Sequence, residues 1–161
     1  MTLIENTLMT SHSKDIVNRW GIINFDNIKE KTKNIVSEFD VRTPTLDNAA
    51  TSLSGGNLQK FVIGREILQR PRIFVVNQPT WGVDAAAAAF IRQSILNLAS
   101  NESAVVVISQ DLDELFEICD TFAVLTNGRM SKSHDMSSLS SEDVGLLMGG
   151  SDLDLKNRDK A

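Results

Sequence analysis

The sequence of 161 residues predicts an α/β fold, and three features carry that prediction. Helical stripes of apolar residues alternate with short, continuously apolar runs, Ile73-Phe74-Val75-Val76 and Ala104-Val105-Val106-Val107-Ile108, of the kind found in central parallel strands. Proline or polar breaks end the stripes and runs, at Arg70-Pro71, Gln78-Pro79 and Ser109-Gln110-Asp111. The composition, 42% hydrophobic and 23% charged, fits one soluble globular domain with a modest core.

Residues up to Asn24 mix polar side chains with Ile4, Leu8, Ile16, Trp20 and Ile22, and their weak periodicity predicts irregular structure with one short helix over 13–20. From Asp26, read as an N-cap, Ile28, Ile35, Val36 and Phe39 mark one face of a helix whose other face carries Lys29, Glu30, Lys33 and Glu38. Pro44 turns Thr43 away from helical angles, and a polar loop leads to Leu53-Ser54-Gly55-Gly56-Asn57-Leu58-Gln59-Lys60. There a Ser-Gly-Gly turn frees backbone N–H groups at the positive end of the following helix, an arrangement suited to an anion, most often a phosphate. That helix carries Leu58, Phe61, Val62 and Leu68 and stops at Pro71.

After the first apolar run, Asp84 caps a helix that the Ala85 to Ala89 run favours, with Phe90, Ile91, Ile95 and Leu98 facing inward. After the second, Leu112, Leu115 and Phe116 line another helix, and residues 121–126 read as a third strand turning at Asn127-Gly128. Residues 131–141 are serine-rich and read as a linker, 143–148 as a short helix, and the charged tail from Asp152 as disordered. In parallel sheets the ligand crevice lies outside the carboxyl ends of the strands, which is where Asn77, Gln78, Ser109 and Gln110 stand.

The formal net charge of -5 leaves no basic stripe for a phosphate backbone, which excludes a nucleic-acid binder. Cys119 is the only cysteine, so neither an intramolecular disulfide nor a zinc cluster can form, and a reduced, cytosolic compartment is expected. No run approaches the roughly 20 apolar residues of a membrane-spanning helix, and the order of a signal peptide is missing from the N-terminus. His12 and His134 stand alone in polar surroundings, and Cys119 reads as a core residue.

Four of these segments, in this order, resemble the later half of an ABC-transporter ATP-binding cassette: Leu53 to Lys60, the strand ending at Val76, Gln78 to Asp84, and Ile108 to Glu114. The resemblance makes them the signature motif, the Walker B strand, the D-loop and the switch region. Glu38 to Pro44, the Asn57 form of the signature, Gln78-Pro79-Thr80 and Gly145 to Gly150 resemble the second cassette of importers for nucleosides and simple sugars. A three-layer, P-loop NTPase-like fold is implied. It would consist of a helical subdomain remnant over 1–52, a signature-to-switch core over 53–130, a linker and short helix over 131–150, and a tail over 151–161.

The motif G-x-x-x-x-G-K-[ST], which holds the β- and γ-phosphates, does not occur in these 161 residues. Where the family has a Mg²⁺-binding aspartate and a water-polarising glutamate this chain has Asn77 and Gln78, and Gln110 replaces the switch histidine. An amide carries no charge and is no general base near neutral pH, so a catalytically poor site is implied. Ser54, Gly55, Gly56 and Asn57 are intact, and the resemblance assigns them to ATP held by a partner cassette, with Asp84 at the dimer seam. Trp81 is expected in packing or an interface rather than in nucleotide stacking.

The implied function is an incomplete nucleotide-binding subunit of an importer, with ATP and Mg²⁺ in the assembly, neither bound tightly by this chain alone. Its partners would be a complete or N-terminal cassette and membrane permease subunits at the cytoplasmic face of the inner membrane. The alternatives are a non-catalytic regulatory half-cassette and an unrelated α/β interaction domain. A sheet lacking the family's other strands is expected to leave apolar surface bare.

Overall fold

The computed structural model describes residues 1–11, 16 and 22–150. The predicted helix over 13–20, His12 and the tail beyond Gly150 lie outside the described residues, apart from Ile16. Where composition predicts one core, the chain forms two compact units, Met1–Gln110 and Asp111–Ala161. The later unit builds its contacts among short neighbouring elements, and each unit is described by itself.

The first unit opens on a helix that the sequence reading left irregular, α1 (Leu3–Thr10). Its weak apolar period is offset by a capping box: Glu5 N donates to Thr2 Oγ1 at 3.1 Å, and Thr2 N donates to Glu5 Oε2 at 2.7 Å. Leu3 N donates to Asn48 O and Ala50 N to Met1 O, so the chain start is fastened to the loop ahead of Ser54. The cap of helix α2 (Phe25–Glu38) lies two residues before the expected one, because Asn24 rather than Asp26 accepts the first-turn N–H, that of Asn27. Its buried side chains are Ile28, Thr32 and Ile35, with Phe39 buried at its end. Thr32 is tolerated there because its hydroxyl donates to Ile28 O at 2.8 Å.

Helix α3 (Gly55–Ile67) buries Phe61, Ile63 and Gly64, and Leu58, Val62 and Leu68 of the expected stripe are only half-buried. The reason is Phe39, whose ring lies against the bare face of Gly64 and draws that side of the helix inward. Strand β1 (Ile73–Asn77), helix α4 (Ala85–Ser100) and strand β2 (Ala104–Ile108) form a β-α-β unit with the strands parallel and in register, Val75 opposite Val106. Helix α4 buries Ile91, Ile95 and Leu98 as the sequence predicts.

The strands differ from the expectation of burial on both faces. Phe74 is buried and Val76, Val105 and Val107 are half-buried on one face, but Ile73, Val75, Val106 and Ile108 are 69%, 60%, 49% and 52% exposed on the other. An apolar run fixes strand character and leaves open whether a second layer covers the outer face.

The second unit holds α5 (Leu112–Ile118), capped by Asp111, then β3 (Thr121–Phe122), β4 (Leu125–Thr126), β5 (Arg129–Met130), β6 (His134–Asp135) and α6 (Ser141–Met148). The single third strand expected over 121–126 is instead two short ones, each antiparallel to a later strand: β3 pairs with β6 and β4 with β5. By Val124 the chain already faces the later arm of the hairpin, its N–H donating to Ser131 Oγ at 2.9 Å and its carbonyl accepting from Ser131 N at 2.8 Å. Asn127 and Gly128 take φ of 49° and 72°, the left-handed pair that a two-residue hairpin needs. The serine-rich run read as a linker carries β6 and a 3-10 turn, Met136–Ser138, because the Asp135 carboxylate accepts both the N–H and the hydroxyl of Ser137.

Candidate functional site

Ser54 is the N-cap of α3, so Gly55 and Gly56 are its first helical residues rather than a free turn. Neither glycine has a positive φ; what they contribute is the lack of a side chain beside the helix's positive end. A methyl group added at Gly55 would touch Gly82 O at 3.4 Å, and one at Gly56 would stand 3.6 Å from Asp84 Oδ2. The first turn of α3 therefore lies directly against the segment 82–84.

Ser54 is a competent capping residue that does not cap. Thr2, Asn24, Asp84, Asp111 and Ser140 each accept a first-turn N–H of their own helix, and the Ser54 side chain makes no such bond. Its oxygen accepts instead from Asn57 Nδ2 at 2.9 Å, and Asn57 Oδ1 accepts from Arg42 N at 2.8 Å. The first-turn N–H groups of α3 thus lack the internal acceptor that the other helices supply. Gln59 Nε2 donates to Pro79 O at 2.8 Å, which ties α3 to the carboxyl end of β1. Lys60 reaches back to Asp40 Oδ2 at 3.2 Å and lies 5.0 Å from the centre of the Phe90 ring.

Asn77 ends β1, exposed, and Gln78 follows in the left-handed region at φ 51°, its N–H donating to Ile108 O at 2.7 Å. Gln110 stands exposed two residues beyond β2. The carboxyl ends of both strands therefore meet at this end of the unit, as the sequence reading has them. Asp84 caps α4, its Oδ1 accepting from Ala87 N at 2.9 Å. Trp81 is 75% exposed and packs on little of its own chain. No cluster of three or more His, Cys, Asp or Glu residues able to hold a metal ion occurs among the described residues. With amides at Asn77, Gln78 and Gln110, this end of the sheet does not fit a Mg²⁺ site of its own.

A cleft of about 930 Å³ lies at the opposite, amino ends of the strands, bordered by Phe39, Arg70, Arg72, Asn97 and Ser103. It is remote in the fold from Ser54 and Asp84 and takes no part in the site.

The chain is 35% identical over 147 residues to the guanosine import ATP-binding protein NupO of Bacillus subtilis, a match that covers 91% of this chain and 29% of the relative. It is 33% identical over 153 residues to the nucleoside import ATP-binding protein NupA of Lactococcus lactis, covering 95% and 30%. This chain belongs to the ABC ATP-binding cassettes. A galactose/methyl galactoside import ATP-binding protein, MglA of Mannheimia succiniciproducens, is 34% identical over 141 residues, covering 88% and 28%.

The chain thus spans under a third of the length of the curated relatives it matches. No family model matches it. Among solved structures, a metal-chelate type ABC transporter in an inward-facing conformation aligns with TM-score 0.71 at 19% identity, covering 92% of this chain and 58% of that one. A dimeric ATP-binding cassette bound to ADP and Pi aligns with TM-score 0.67 at 18% identity, covering 84% and 57%. These likenesses establish the cassette fold, and with it the α/β class, and they overturn the unrelated interaction domain.

The sequence reading located Ser54, Gly55, Gly56, Asn57 and Asp84, and the fold brings all five together. It missed the backbone N–H of Arg42. No sequence signal marks a main-chain donor 15 residues away from the amide it orients.

Proposed function

We propose that this chain serves a nucleotide-binding subunit of an ABC importer by presenting the Ser54 end of α3 to ATP held by another cassette. One observation carries the reading: a helix N-terminus with a serine and two glycines whose first-turn N–H groups are left without a side-chain cap. The Ser54 hydroxyl and these N–H groups are preorganised donors of the kind that stabilise charge on a phosphoryl group. Asp84, which stands against Gly56, is the proposed residue at the seam of the cassette pair. Nucleosides and simple sugars are the proposed cargo, after the named functions of the relatives. Permease subunits at the cytoplasmic side of the membrane are the proposed partners, and no helix among the described residues is long and apolar enough to cross a membrane.

Asn77, Gln78 and Gln110 favour a second reading, in which this half is regulatory and its own site does not hydrolyse. Both readings expect no micromolar ATP binding by the isolated chain in a calorimetric titration. They part on Ser54→Arg in the assembled transporter: loss of ATP hydrolysis supports the composite site, and an unchanged rate leaves only the regulatory role.

A further inference from the structure

Asn57 occupies a position that settles where the Ser54 proton goes. Arg42 N is a pure donor, and it lies 2.8 Å from Asn57 Oδ1, which fixes the carboxamide with its oxygen toward Arg42 and its NH₂ toward Ser54. That NH₂ is likewise a pure donor, 2.9 Å from Ser54 Oγ, so the hydroxyl oxygen must accept there. Its single proton is then left to point elsewhere. Ser54 is exposed, so that proton is available to an acceptor outside the chain.

We propose that Asn57 is a positioning residue for the signature serine. Through Arg42 N–H, it holds the Ser54 hydroxyl as a donor aimed outward at an anionic phosphate oxygen and keeps it from capping α3. The proposal rests on the composite-site reading and adds to it the origin of the serine's polarity. It also assigns a role to the 41–43 loop, which reaches the site through the main-chain N–H of Arg42.

The distinguishing variant is Asn57→Asp, nearly the same shape with the bond reversed. A carboxylate accepts from Arg42 N and also from the Ser54 hydroxyl, which turns the proton inward. ATP hydrolysis by the assembled transporter containing this chain is measured for wild type, Ser54→Ala, Asn57→Asp and the double variant. Expected is a fall in kcat of about 100-fold for each single variant, as for a lost oxyanion donor, with KM for ATP little changed. The double variant is expected to be no slower than Ser54→Ala, because Asn57 acts only through the serine.

Asn57→Gln, which keeps a donor and an acceptor, should retain most of the rate. If Asn57→Asp fails to fold by circular dichroism, Arg42→Pro removes the orienting N–H together with the Arg42 side chain and, where circular dichroism shows it folded, should lower kcat in the same way. A further fall on adding Asn57→Asp to the Ser54→Ala background, or no fall in the single variant, would overturn the positioning role. No effect of Ser54→Ala itself would instead overturn the composite-site reading.

Discussion

The ring of Phe39 lies so close to Gly64 that a methyl group on that glycine would sit 2.5 Å from Phe39 Cγ. The ring is held from its other side as well, edge-on to Phe90 with centroids 5.8 Å apart. One ring thus joins the end of α2 to the middle of α3 and the flank of α4. Gly64→Ala gains about 1 kcal/mol of helix propensity but forces the ring out of a packed site, and the overpacking cost of about 1–3 kcal/mol wins. The expected result is a net loss of up to about 2 kcal/mol in urea unfolding of the full chain. Phe39→Leu in the same background should recover part of it.

Asp84 combines a structural role with its proposed place at the cassette seam. Its Oδ1 caps α4 through Ala87 N at 2.9 Å, so Asp84→Ala should lower stability by about 1 kcal/mol, and Asp84→Asn by a few tenths. Thermal unfolding checks this. A loss of transporter ATPase in Asp84→Asn, with unfolding nearly unchanged, would separate the seam role from the cap.

The two faces of the β1/β2 pair should respond oppositely to substitution. Phe74 is 7% exposed, and Phe74→Ala should cost about 3–5 kcal/mol. Val75, 60% exposed on the opposite face, should accept Val75→Thr within about 0.5 kcal/mol while soluble yield rises. The measurements are urea midpoints and the soluble fraction after expression. Equal destabilisation by both would show that the outer face is covered.

Cys119 ends α5 with its thiol pushed above the ordinary range, first by burial and then by the nearby carboxylates of Asp120 and Glu114. Less thiolate is present near neutral pH, so a thiol-specific chromophore should react more slowly than with an unfolded control, and denaturant should restore the rate. Because the folded thiol binds its proton more tightly than the unfolded one, this group's contribution to stability is full below the ordinary thiol range. It is lost as pH rises beyond that range and through the raised value of the folded thiol.

Much of the fold was legible in the residues because local rules acted alone. The alanine run after Asp84 and the Asn127-Gly128 hairpin are set by propensity, capping and turn chemistry within a few residues. The early helix was missed because its start rests on a reciprocal cap, Thr2 with Glu5, rather than on an apolar period. The third strand was read as one because an apolar run does not mark where the chain changes partner, from β6 at Phe122 to β5 at Leu125.

For the site, the sequence by itself determined the chemistry available: a serine and two glycines at a helix start, and neutral amides at Asn77, Gln78 and Gln110 beside the carboxyl ends of the strands. Only the tertiary structure decided how that chemistry is aimed. The direction of the Ser54 hydroxyl depends on Asn57, and Asn57 depends on a main-chain N–H 15 residues earlier. The exposure of Val75 and Val106 likewise depends on which layers pack against the strands. Residue type fixes what a group can donate or accept; which partner it meets is set by chain segments that only folding brings within 3 Å.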